Sequence, residues 1–162
     1  MGGAIARGLA KGTIIQTADI CVSNPSKGKL DALKGEFPTM QVTHNNVEAV
    51  KEADIVLLAV KPWYIEPVIK ELPLDTEKQI LVSVAAGISF EQYEEWVGEK
   101  MPVFRVIPNT AISQLESMTL IASHHATKEQ EQLMLDLFNE MGLAMLIPEK
   151  QMAATTALTS CG

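Results

Sequence analysis

Cysteine is nearly missing from this chain: only Cys21 and Cys161 occur, with no Cys-x-x-Cys spacing. That is cysteine usage for a reducing cytoplasm, not for a disulfide scaffold. There is no apolar run of about 18 residues and no signal-type amino terminus, so neither a membrane span nor export is expected. Basic residues are outnumbered, 13 Lys and Arg against 20 Asp and Glu, for a net charge of -7 and a pI near 4.9. This balance argues against nucleic acid or an anionic membrane as the main partner. Internal repeats, low-complexity tracts and linkers are also lacking. What remains is 162 residues, 47% hydrophobic and 20% charged, enough for a sizeable core in about one domain. A soluble, cytoplasmic, globular protein is expected. An acidic chain can still take an anionic cofactor, because backbone amides and one or two cations suffice.

The stretch from Asp54 to Pro62 organises the rest. Ile55-Val-Leu-Leu-Ala-Val60, with an acid before and Lys61-Pro62 after, reads as a strand buried on both faces of a parallel sheet. Pro62 cannot continue a ladder, so the chain turns at the strand's carboxyl end, where ligands sit in such folds. Further strands are expected at 19–23, 41–43, 79–84, 102–107, 118–122 and 143–147. Helices are expected at 1–12 with Gly12 as its stop, after Asn24-Pro25-Ser26, and from 47 to 53 with Asn46 as N-cap. Others follow Pro62, run from Ser89 to Gly98 and from Thr127 to Gly142, and span 149 to 158. Ser89 with Gln92 and Thr127 with Gln130 form capping boxes. Strand alternating with helix predicts an α/β fold, a doubly wound and mostly parallel sheet with helices on both faces.

Several strands end in small or polar residues: Ser23-Asn24, Ala59-Val60-Lys61-Pro62, Ala85-Ala86-Gly87 and Pro108-Asn109-Thr110. Each alone is ordinary strand-exit punctuation. Four along one sheet edge would floor a crevice able to hold a flat dinucleotide. Ser23-Asn24, without the acid that usually holds ribose hydroxyls and with Lys27 and Lys29 nearby, suits a ribose 2′-phosphate, hence NADPH over NADH. The same residues equally suit a solvated basic turn. His44, His124 and His125 show no metal-ligand spacing, so no metal is expected. Adjacent His124 and His125 should point in different directions on extended chain. No Ser/His/Asp or Cys/His set can be assembled, and the catalytic residues are left unassigned.

Met1-Gly-Gly-Ala-Ile5, Ala59-Val-Lys-Pro62, Ala85-Ala-Gly87, Arg105-Val-Ile-Pro-Asn-Thr110 and Ala157-Leu-Thr-Ser-Cys-Gly162 stand in the order and spacing of one family. The chain resembles the amino-terminal, coenzyme-binding domain of pyrroline-5-carboxylate reductase, over essentially all its length. The resemblance implies a Rossmann-type domain over 1–148, with 149–162 starting a helix toward a carboxyl-terminal dimerisation domain. It implies reduction of 1-pyrroline-5-carboxylate to L-proline, with hydride from NADPH or NADH, and a homodimer or larger. It places Gly2 at the last glycine of the dinucleotide loop and Ser23 and Asn24 beside the adenosine ribose phosphate, where Lys27 is the nearby cation expected from the residues themselves. Asn46 would meet the adenosine ribose, and Ala59, Val60, Lys61 and Pro62 the coenzyme's middle. Ala85, Ala86, Gly87 and Asn109 would meet the nicotinamide end. Departures from the family include Pro25 where relatives often carry Arg, and Leu115 and Ser117 where they carry glycine. The family's first strand and first two loop glycines are expected to be missing, and these 162 residues alone are expected not to turn over. The alternatives are another NADP-linked dehydrogenase of the β-hydroxyacid type, or a non-catalytic dinucleotide-binding fragment.

Overall fold

The computed structural model describes residues 1–159, so Ser160, Cys161 and Gly162 of the terminal motif lie outside the described residues. Among the described residues seven α-helices and seven strands alternate for most of the chain. The strands are β1 (Cys21–Ser23), β2 (Gln41–Thr43), β3 (Ile55–Leu58), β4 (Ile80–Ser83), β5 (Val103–Ile107), β6 (Ser117–His124) and β7 (Gly142–Leu146). The helices are α1 (Gly2–Lys11), α2 (Lys27–Glu36), α3 (Asn46–Val50), α4 (Pro62–Glu71), α5 (Phe90–Val97), α6 (Lys128–Asn139) and α7 (Glu149–Thr159). Strands β3, β4 and β5 are parallel and β6 runs antiparallel to β5 before β7 pairs parallel to β6. The sheet is α/β and mostly parallel, as expected.

It is also divided. Strands β1 and β2 form a parallel pair of their own, and among the described residues neither joins the five-stranded sheet β3-β4-β5-β6-β7. This changes the reading of the central strand. Val56 and Leu58 are buried, but Ile55 and Leu57 are only half-buried. They border a channel between the two sheets, so the apolar run is covered fully on one face only.

Alternation along the strands feeds two cores. Leu81 and Val103 point to one face, where they meet Ile65 and Ile69 of α4 and Tyr93 of α5. Val82, Phe104 and Val106 point to the other, against Ile5 of α1 and Met134, Leu137 and Phe138 of α6. Helices therefore cover both faces, and β4, buried throughout, is the doubly covered strand that β3 was expected to be. Both capping boxes form, at Ser89/Gln92 and Thr127/Gln130.

Several expected helix ends differ: α6 stops at Asn139, so Gly142 opens β7 instead of ending the helix, and α3 stops at Val50. The cap of α3 is Asn45, whose side chain accepts from the amides of Val47 and Glu48. That leaves the side chain of Asn46 free to face β1. Gly12 ends α1 in extended backbone (φ -78°), not in a left-handed cap. Its lack of a Cβ serves close approach instead: a Cβ there would overlap the Glu140 carboxylate, which accepts from the amide (2.7 Å) and hydroxyl (2.8 Å) of Thr13.

Candidate functional site

Parallel pairing puts the carboxyl ends of β3, β4 and β5 on one edge of the large sheet, and those of β1 and β2 together on the small one. A channel of about 1800 Å³ runs between the sheets and is lined by Gly2, Ser23, Asn24, Asn46, Ala59 and Val60. Six of the residues singled out from the sequence thus meet around one space. Lys61, Pro62, Ala85–Gly87 and Asn109 stand after β3, β4 and β5 on the same edge but do not line the channel.

Helix α1 points its amino end into this region. It has no side-chain cap, so the amides of its first turn are offered outward. Gly2 makes the approach possible: a Cβ built there would lie 2.9 Å from the Cβ of Ala59, closer than side chains pack. At the β1 end, the Ser23 hydroxyl donates to Asn46 Oδ1 (2.7 Å), tying the strand exit to α3. Asn24 Oδ1 accepts from the amide of Ser26 (2.8 Å) and shapes the turn into α2.

Lys27 is not aimed at this corner. Its ammonium binds Asp31 Oδ2 at 2.6 Å, one turn along α2, with the side chain largely in solvent. Lys29 lines the channel instead. Sequence reasoning also passed over His44, whose Nδ1 lies 2.8 Å from the carbonyl oxygen of Asn24 and which lines the same space. The signal was present: β2 runs parallel to β1, so the residue just past Thr43 must exit at the same edge.

Farther along the edge, the buried Tyr93 hydroxyl donates to Ser83 Oγ (2.6 Å), and Ser83 Oγ accepts from the amide of Ala85 (3.3 Å). Burial pushes the Tyr93 phenol up. The pair therefore acts as a neutral prop for the Ala85–Gly87 turn. Asn109 Oδ1 accepts from the amide of Ala111 (3.0 Å) and caps a 3₁₀ turn at Thr110–Gln114, while its own amide donates to Ser117 Oγ (3.2 Å). Ser117 and Leu115, at positions where the resembled family carries glycine, are both accommodated. Leu115 takes the left-handed conformation (φ 60°, ψ 31°) that a glycine would favour. Cys21, also on the channel, has its thiol pushed up by burial and by the nearby Glu48 carboxylate, so it is not a ready thiolate.

Helix amides, small residues and hydroxyl-bearing strand ends suit a phosphate-bearing, elongated ligand. No acid stands at the end of β1. The fold and this edge define a protein of the doubly wound α/β class, whose ligands lie beyond the carboxyl ends of the strands. Residues 1–87 match the family described as NADP oxidoreductase coenzyme F420-dependent, and the chain belongs to that family. Over its whole length it is 33% identical to the pyrroline-5-carboxylate reductase of Methanosarcina acetivorans, of which it spans 60%. A pyrroline-5-carboxylate reductase structure from Coxiella burnetii superimposes with a TM-score of 0.87 at 28% identity, covering 99% of this chain and 60% of that one. The Plasmodium falciparum pyrroline carboxylate reductase with NADP bound gives 0.88 at 28% identity, covering 100% and 59%. The chain thus spans about three-fifths of these relatives' length.

Proposed function

We propose that the protein carrying this chain reduces 1-pyrroline-5-carboxylate to L-proline, with NADPH as reductant and NADH as the weaker substitute. The single observation behind this is similarity along the entire chain, in sequence and in fold, to pyrroline-5-carboxylate reductases. When bound, the nicotinamide supplies the hydride, delivered to the imine carbon while the ring nitrogen carries the proton. The first turn of α1 is assigned to the pyrophosphate, through its amides. Ser23, Asn24 and Asn46 are assigned to the adenosine ribose, with Lys29 taking the place expected for Lys27. Ala59 to Pro62 would follow the middle of the coenzyme. Ala85 to Gly87, propped by Ser83 and Tyr93, would lie with Asn109 at the nicotinamide end.

In the same proposal residues 1–148 are the NAD(P)-binding domain and 149–162 begin a helix toward a dimerisation domain, giving a homodimer or larger. The anchoring of Glu149, which accepts from Arg105 (2.9 Å) and from the amide of Phe90 (2.8 Å), supports a change of role there. Cytoplasmic location belongs to the proposal too. No described helix is long and apolar enough to cross a membrane.

The test is coenzyme oxidation coupled to proline formation by the protein carrying this chain, with pyrroline-5-carboxylate set against 3-hydroxy acids. Proline formation is expected, and turnover of 3-hydroxy acids alone overturns the reading. Dissociation constants should favour NADPH over NADH by about 10- to 150-fold, since one phosphate contact to a charged group contributes about 1.5–3 kcal/mol. Equal affinities, or a preference for NADH, would remove the phosphate role of the β1 corner.

A further inference from the structure

At the opposite edge of the sheet lies a cluster that the coenzyme crevice does not use. His124 ends β6, and its register partner Val103 begins β5, so it sits at the far end of β5 from Asn109. The Nε2 of His124 lies 2.7 Å from Glu94 Oε2, and the Nε2 of His125 lies 2.8 Å from the same oxygen. The two imidazoles do not diverge as extended chain would make them. His125 has a φ of 56°, which folds its ring back until the centroids are 3.9 Å apart. Phe90 stacks on His124 at 5.1 Å and 14°, restraining that ring from behind. Glu94 comes from α5, His124 from the end of β6 and His125 from the turn after it, so three backbone segments converge on one point. All three ligand atoms lie within 4.8 Å of one another, and each side chain is partly open to solvent.

We propose that Glu94, His124 and His125 form a divalent transition-metal site, with zinc as the natural occupant. Two imidazoles and one carboxylate are a common three-ligand zinc set, which leaves a fourth position for water. Borderline imidazole donors favour zinc over magnesium or calcium. On binding, each imidazole gives its Nε2 lone pair to the ion, with the ring proton held on Nδ1. The Glu94 carboxylate then exchanges its contacts with the two rings for one metal bond. Bond lengths of about 2.0–2.2 Å to all three ligands are compatible with atoms already this close, given small side-chain rotations. The ion would clamp α5 to the end of β6. β6 is eight residues long, roughly 23 Å from Ser117 to His124 at about 3.3 Å per residue. The site therefore lies at the other end of the sheet from the Asn109 turn, and its role is a clamp and not part of hydride transfer.

The test uses Co²⁺ as a spectroscopic probe and Zn²⁺ by calorimetry on the full chain, with the His125→Asn variant beside it. Asparagine tolerates the left-handed backbone, so this variant keeps the turn while removing the ligand. One Co²⁺ per chain is expected, with the visible absorption of a four-coordinate ion, displaced by Zn²⁺. Affinity should fall about 100-fold or more in His125→Asn, at or beyond the upper end of the roughly 10–100-fold that loss of a supporting partner costs. Glu94→Gln should behave alike, while Cys21→Ser should bind as the parent does. Zinc should also raise the melting temperature of the parent but not of His125→Asn. No saturable binding, binding unchanged in His125→Asn, or binding lost in Cys21→Ser would each overturn the proposal.

Discussion

Leu115 carries a conformation that its side chain resists. Non-glycine residues held at φ near 60° cost about 1–3 kcal/mol, whereas glycine there costs about 0.5–1 kcal/mol in unfolded-chain entropy. Leu115 is 36% exposed, so truncation also gives up part of its buried apolar surface, which opposes the gain. Leu115→Gly should therefore raise stability by less than about 1 kcal/mol, a melting-temperature gain below about 2–4 °C. A lower melting temperature would mean that the leucine's contacts outweigh the strain. Neighbouring asparagines offer a second contrast. Asn45 caps α3 through two amides, and Asn46 holds the Ser23 hydroxyl. Asn45→Ala should cost about 1–2 kcal/mol, and Asn46→Ala only about 0.5 kcal/mol for one partly exposed hydrogen bond. Denaturant unfolding of both variants reads the order directly, and the reverse order would return the cap to Asn46.

Among the elements, α1 carries the most obligations. Its first turn meets β3 through Gly2, Ile5 enters the large core, and Ala6 enters the small one under β1. It is also tied to the end of α2, where Arg7 grips Glu36 with Nε at 2.8 Å and a terminal nitrogen at 2.6 Å. Those hydrogen bonds hold the Glu36 carboxyl below its ordinary value of 4.5, with the charges of Arg7 and Lys11 adding to the effect. A carboxyl depressed in the folded state stabilises above its unfolded value, and that contribution is lost as pH falls through the folded value. The melting temperature should therefore drop as the pH is taken below about 4.5, and Glu36→Gln should flatten part of that drop while changing little at neutral pH. An identical acid limb in parent and variant would exclude this pair as a contributor.

At the scale of the whole molecule, the division of the sheet sets where stability lies. β4 is buried along its whole length and takes pairing from both sides, as does β5. β1 and β2 are three residues each, pair only with one another among the described residues, and rest on a cluster of four buried side chains. Opening free energies follow such differences in burial and pairing. Native-state hydrogen exchange should show amides of β4 and β5 among the slowest and those of β1 and β2 exchanging well before them. Uniform protection across both sheets would mean that they open as one unit.

Much of this was legible from residue order. The capping boxes at Ser89 and Thr127, the turn at Lys61-Pro62 and the period of α6 are local signals, decided by side chains within a few positions of one another. The gathering of Ser23, Ala59 and Asn109 on sheet edges also followed, because parallel strands must exit on the same side. What the residues alone did not decide is whatever depends on a partner distant in the chain. Two local readings were also decided only by side-chain geometry: Lys27 pairs with Asp31 one turn along α2, and Asn45, not its neighbour Asn46, caps α3. β3 read as doubly buried, since its composition is that of a covered strand and only packing reveals that one side borders a channel. The convergence of His124 and His125 on Glu94 needed a left-handed turn and a helix some 30 residues away. Local sequence specifies elements because caps, turns and periodicity are short-range; sites are set by backbone segments that meet only when the whole chain has packed.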